Sequence, residues 1–200
     1  MENSNGKRKW ARGKLRRLFA TTAVSCGLLT GAGYGVHLQA NTYLEGAALH
    51  GVAPAVKPLV WLGADQEGRN KALWMAAYAG QTGAAAELLK VGVSREAVND
   101  ALLTGATHGR TETVRLLLDG GANVRPNTLC SALFEAAANG HSETVTLLLD
   151  RGVDVHAIGD SALNEAIRFG HTETAKILRE RGAKDPKPLR FTGQSPDPPG

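Results

Sequence analysis

Five glycines, Gly51, Gly80, Gly109, Gly140 and Gly170, are each followed twelve residues later by a second glycine: Gly63, Gly92, Gly121, Gly152 and Gly182. The first glycines of the pairs stand 29, 29, 31 and 30 residues apart. Self-similarity at a fixed period of about 20 to 50 residues marks stacked supersecondary units, in which each copy touches only its neighbours. The chain therefore reads as a repeat array, and its first capacity is to present a surface to a partner.

Local chemistry defines the unit. A short apolar helix of about eight residues, such as Leu102 to Thr107, runs into the first glycine, which suits the left-handed position that ends a helix. Next comes Thr82, Thr111, Ser142 or Thr172, a hydroxyl able to cap the free amides of a second helix. Glu112, Glu143 and Glu173 fall in that helix's first turn, where negative charge opposes the positive end of the helix dipole. Val114, Leu117 and Leu118 recur at i, i+3 and i+4 and give one buried stripe per helix. Neither helix can bury its stripe alone, so the copies must stack.

Aligned on the glycines, the unit reads Ala-Leu-x-x-Ala-Ala-x-x-Gly-His-x-Glu-Thr-Val-x-Leu-Leu-Leu-x-x-Gly-Ala-Asp, most clearly from Leu133 to Leu149 and from Leu163 to Leu178. This resembles the ankyrin repeat over residues 42–184, with copies at about 42–65, 71–94, 100–123, 131–154 and 161–184, the first of them degenerate. The resemblance implies an all-α solenoid of about five stacked helix-turn-helix units, and protein–protein binding without catalysis. It also implies a concave face lined by the residues just before the turn glycine. That gives Tyr78, Thr107, His108, Asn139, Arg168 and Phe169 as the candidate contacts for a partner protein, beside Ala79 and Ala138. Tyr78, His108, Arg168 and Phe169 lead, because aromatic residues and arginine are enriched at binding hot spots. Trp74 and Phe134 occupy the place of the histidine in the family's Thr-Pro-Leu-His motif and are expected to pack against linker loops. The proline and histidine of that motif are absent from every copy, and the linking loops are about three residues shorter than the family's pattern, which implies a shallower groove.

The ends of the array carry their own marks. Where the other copies have Val60, Leu89, Leu118 and Leu149, the last has Arg179, among the charged Lys176, Glu180 and Arg181, as a solvent-facing cap requires. The first copy carries Pro54 and Pro58. Pro58 fits a helix only within its first turn, so a shortened helix pair is expected there. Residues 185–200, rich in proline and polar side chains, are expected to form a disordered tail.

The formal charge of +4 conceals two unlike parts. Residues 1–40 hold seven Lys/Arg against one Glu, net +6, which leaves sixteen against eighteen, or −2, for the rest. The basic balance therefore gives no reason to expect nucleic acid as a partner. The cations, Lys7 to Arg17, are followed by an uncharged stretch from Leu18 to Val36, the pattern of a signal peptide or an N-in membrane anchor. Arg16-Arg17-Leu18-Phe19 is similar to the twin-arginine export signal, with Leu15 and Thr21 departing from it; an ordinary secretory signal is the alternative. Ala23-Val24-Ser25-Cys26 is a partial lipoprotein box, and Gly27, Gly31 and Gly35 have the spacing of closely packed transmembrane helices. A cut after Ala40 would release the repeats, whereas residues 18–40, if uncleaved, would hold them at the membrane. Either way the expected place is the bacterial cell envelope, on the periplasmic side.

No catalytic constellation stands out. His141 and His171 recur at the repeat period beside a turn glycine, and nothing supplies a compact metal-ligand spacing around them or His108. Neither a phosphate loop nor a nucleophile elbow is present. Beyond the leader Cys130 is alone, so no internal disulfide is expected there. The sequence points to a non-enzymatic binding module without cofactor. The alternative is an accessory subunit of an envelope enzyme, or a small enzyme whose site goes unrecognised.

Overall fold

The computed structural model describes residues 33–120 and 124–185. Within them ten α-helices follow one another without a strand: α1 (Gly33–Leu49), α2 (Val56–Trp61), α3 (Gln66–Ala79), α4 (Thr82–Val91), α5 (Arg95–Thr107), α6 (Thr111–Asp119), α7 (Pro126–Ala138), α8 (Ser142–Asp150), α9 (Val155–Arg168) and α10 (Thr172–Glu180). Consecutive helices form antiparallel pairs. The odd-numbered helices pack side by side in one row and the even-numbered helices in a second row against it.

The core lies between the rows and repeats with the sequence. Leu44, Leu73, Leu102, Leu133 and Leu163 hold one register of the first helices, and Leu59, Leu88, Leu117, Leu148 and Leu178 one register of the second; all are buried. Small side chains such as Ala76, Ala136 and Ala166 sit between them on the first helices and let neighbouring pairs approach closely. The turn inside each pair is a six-residue closure. The His141 N–H donates to the Ala136 carbonyl at 2.8 Å and the Gly140 N–H to Ala137 at 3.1 Å, and Gln81, Arg110 and His171 repeat the longer bond. These bonds satisfy carbonyls left over at the helix end, with a left-handed glycine at the hinge.

Several sequence expectations need correction. The first helices run to 13 or 14 residues from α3 onward, not about eight. Their true starts lie upstream, where the Asp65 side chain accepts from the Gly68 N–H at 2.8 Å, Ser94 from Ala97 at 3.1 Å and Asp154 from His156 at 2.8 Å. Thr82, Thr111, Ser142 and Thr172 do not cap the second helices, because each is already the first helical residue and the N-cap is the residue before it. Two of these hydroxyls bridge copies instead: Thr111 Oγ1 lies 2.9 Å from Thr144 Oγ1, and Ser142 Oγ 2.8 Å from Thr174 Oγ1. Thr113, at the position equivalent to Thr144 and Thr174, has a buried hydroxyl with no partner.

At the ends the second helix of the first pair is shortened as expected, but the first is not. In the first pair α2 is cut to six residues after a 3-10 turn at Ala53–Ala55, with Pro58 in its first turn, while its partner α1 is long. Arg179 is turned to solvent and pairs with Asp185 at 2.7 Å, so Asp185 is held by the array. The remainder of the expected tail, residues 186–200, and most of the expected leader, residues 1–32, lie outside the described residues. No helix among the described residues is long and apolar enough to cross a membrane. α1 runs through position 40 without a break, and Ala40 is buried at 5 % exposure.

Candidate functional site

The candidate residues sit at the C-terminal ends of the odd-numbered helices, and for those of α3, α5 and α7 what fixes them there comes from the next pair. The Arg110 Nε–H donates to the Tyr78 carbonyl at 3.0 Å. His141 Nε2 is 2.9 Å from the Thr107 carbonyl, and His171 Nε2 is 3.0 Å from the Ala138 carbonyl. A carbonyl can only accept, so both imidazoles carry their proton on Nε2 in the neutral form. Gln81 makes the first rung, reaching the Leu49 carbonyl at 3.4 Å. The backbone under Tyr78, Thr107 and Ala138 is thus pinned before any partner arrives, which lowers the ordering cost of binding.

A second ladder runs along the loops. Ten residues before each first glycine stand Asn41, Asn70, Asn99, Cys130 and Asp160. Asn41 Oδ1 accepts from the Asp65 N–H at 3.1 Å, Asn70 from Ser94 at 2.9 Å, Asn99 from Arg125 at 3.3 Å and Asp160 from Lys184 at 2.7 Å. Each bond ties a first helix to the loop that leaves its own pair. Cys130, half-buried and free, occupies the rung where the other copies have a carbonyl or carboxylate oxygen.

On this frame the exposed face of the odd-numbered row gathers some candidates and separates others. Tyr78 is 43 % exposed and meets His108 of the next pair edge to face, with ring centroids 4.7 Å apart and planes at 66°. One turn earlier, Trp74 stacks on Tyr78 at 5.7 Å and 15° and is 39 % exposed. Trp74 therefore belongs to the exposed aromatic surface, contrary to its expected packing against a linker loop. Its signal was its position four residues before Tyr78, which puts both on one helix face. Phe134 is half-buried against the core.

Arg168 and Phe169 form a second cluster at the far end. The guanidinium stands 5.3 Å from the Phe169 ring centroid and 3.4 Å from the Glu165 carboxylate, and Phe169 is 56 % exposed. The α7–α8 pair separates the two clusters and offers Ala138 and Asn139 between them. Asn139 and Thr107 are less available than the sequence suggests. The Asn139 amide donates to the Glu135 carbonyl at 2.8 Å, and the Thr107 hydroxyl to Leu103 at 2.9 Å. His108 also turns back, with Nδ1 at 2.9 Å from the Thr104 carbonyl, which leaves Nε2 as its outward acceptor when neutral.

His141 and His171 are engaged one by one with carbonyls of preceding pairs. Among the described residues no group of three or more His, Cys, Asp or Glu is placed to hold a metal ion. One carboxyl is shifted: the Lys90 hydrogen bond, at 2.8 Å, and the charges of Lys57 and Lys90 hold Glu87 below the usual carboxylate range, partly opposed by desolvation. It lies on α4, away from the aromatic surface, and ties α4 to α2 through Lys57 at 3.4 Å.

A family model described as ankyrin repeats (3 copies) matches residues 123–187. No curated protein matches the sequence.

Proposed function

This chain is an ankyrin-repeat protein, and from that premise we propose that it is a non-enzymatic binding module which captures a partner protein on the concave face of a five-copy array. Ankyrin repeats are in general protein–protein interaction modules. The observation that carries the reading is the exposed run Trp74, Tyr78 and His108, ring against ring across two consecutive pairs. Aromatic side chains order few torsions on binding and bring large apolar area, so removal of one at the centre of an interface typically costs about 2 kcal/mol or more. Arg168 and Phe169 offer a second anchor of the same kind. The basic segment followed by the uncharged stretch Leu18 to Val36 supports export to the cell envelope, with the partner a protein of that compartment.

A photo-crosslinking residue at position 78, compared with one at Glu143 on the even-numbered row, tests the reading in the native host. A discrete adduct from position 78 that disappears with Trp74→Ala, while helical circular dichroism is kept, is the expected result. Adducts from Glu143 alone would move the binding surface to the other row and refute the proposal.

A further inference from the structure

Trp61, at the end of α2, is 87 % exposed, and Leu62 after it is 46 % exposed. In the other copies the register of Trp61, ten residues after the first glycine, holds Lys90, Asp119, Asp150 and Glu180. That position takes a solvated charge in four copies and an indole in one. Exposed single apolar residues are common on protein surfaces, so exposure by itself says little. Its place in the fold says more. Trp61 lies four residues before Asp65, whose backbone N–H and carboxylate are bonded to Asn41 at 3.1 and 3.0 Å. It therefore stands at the edge of the array by which α1 arrives, and α1 reaches back from Asn41 to Gly33, where residues 1–32 join it.

The stretch of that upstream segment read as apolar ends at Val36, before His37 and five residues before Asn41. Five residues of helix rise about 7 Å, and the polar headgroup layer on one side of a bilayer is about 5 to 7 Å deep. Tryptophan is enriched at that depth, where its ring meets apolar chains and its N–H meets water and headgroups. The neighbouring cations are otherwise engaged: Lys57 with Glu87 at 3.4 Å, and Arg69 with the carbonyls of Gly92 and Ala64 at 2.8 and 3.1 Å. The contact that Trp61 and Leu62 themselves can make is apolar in character.

We propose that Trp61, with Leu62, is a lipid-interface contact that seats the N-terminal edge of the array on the bilayer entered by the chain's own apolar segment. The inference rests on the membrane-tethered form of the reading above. The full chain carrying Trp10→Phe and Trp74→Phe, with Trp61 its only indole, is reconstituted into phosphatidylethanolamine–phosphatidylglycerol vesicles with and without brominated acyl chains. A chain carrying Trp10→Phe and Trp61→Phe, with Trp74 its only indole, serves as reference. The expected result is that brominated lipid quenches Trp61 strongly and Trp74 weakly. Three outcomes overturn the proposal. If the protein floats with vesicles but Trp61 is quenched by aqueous acrylamide and not by lipid, the tether stands and the seat does not. If Trp61 is shielded from both quenchers, protein covers it, such as a second copy. If the full chain fails to float with vesicles, the tether and the seat fall together.

Discussion

Gly140→Ala should do more damage than the same change at Gly170, because only Gly140 lies under a following copy. Both residues are left-handed, with φ of +73° and +77°. An alanine in that conformation costs roughly 1 to 2 kcal/mol. At position 140 a Cβ would also come within 2.7 Å of His171 Cγ and 2.8 Å of His171 Cε1, whereas at 170 nothing lies within 4 Å. The imidazole must swing away and give up its 3.0 Å bond to the Ala138 carbonyl, which adds roughly 0.5 to 1.5 kcal/mol. The expected totals are therefore about 1.5 to 3.5 kcal/mol at 140 and about 1 to 2 kcal/mol at 170. Urea unfolding followed by far-UV circular dichroism measures both, and a cycle with His171→Ala isolates the clash. In the His171→Ala background Gly140→Ala should cost only the left-handed part, a coupling of about 1 kcal/mol. Equal costs of Gly140→Ala with and without the imidazole would refute the reasoning.

Further substitutions probe the ties of the array and its exposed face. Cys130→Asn supplies the missing oxygen of the loop ladder and should raise unfolding free energy by about 1 kcal/mol, read by the urea midpoint. Thr113→Val removes a buried hydroxyl without a partner and should stabilise by about 1 kcal/mol, whereas Thr144→Val breaks the bond to Thr111 and should destabilise by a similar amount; the same sign at both sites would contradict the assignment. Because the Glu87 carboxyl is held low, its contribution is present above the ordinary carboxylate range and is lost as pH falls through its lowered folded-state value. The melting temperature of Glu87→Gln should therefore lie below that of the parent at neutral pH and converge with it in acid. Arg168→Ala with Phe169→Ala should weaken partner capture in a pull-down while leaving the circular dichroism spectrum unchanged; loss of helical signal would make the pair structural.

The frame of the fold was legible because its signals are local and repeated. A glycine that ends a helix, a glutamate in a first turn and leucines at one register announce themselves within a dozen residues. The starts of α3 and α5 were missed for a related reason: their first turns are polar, as in Gln66-Glu67-Gly68-Arg69-Asn70, so the apolar stripe begins only later. Asp65 and Ser94 in front of them were the available signal. The ladders were harder, since each bonds a side chain to a backbone group some 24 to 34 residues away, which no local pattern shows. The constant offset of Asn41, Asn70 and Asn99 from the glycines was nonetheless on the page. At the candidate site, sequence position placed the residues at the helix ends, while the pairing of Tyr78 with Trp74 and the bonds of Asn139 and Thr107 back to their own helices needed side-chain geometry.

The turn rungs all point one way along the chain. Gln81, Arg110, His141 and His171 each reach back to a carbonyl of the pair before them, so the donor always belongs to the later segment. A polypeptide leaves the ribosome N-terminus first, and each newly emerged pair therefore carries the group that docks it onto a template already made. A chain halted between pairs therefore leaves, of each rung, a carbonyl open to water at its growing end rather than a stranded imidazole or guanidinium, and what remains uncovered there is the apolar face that the next pair will close.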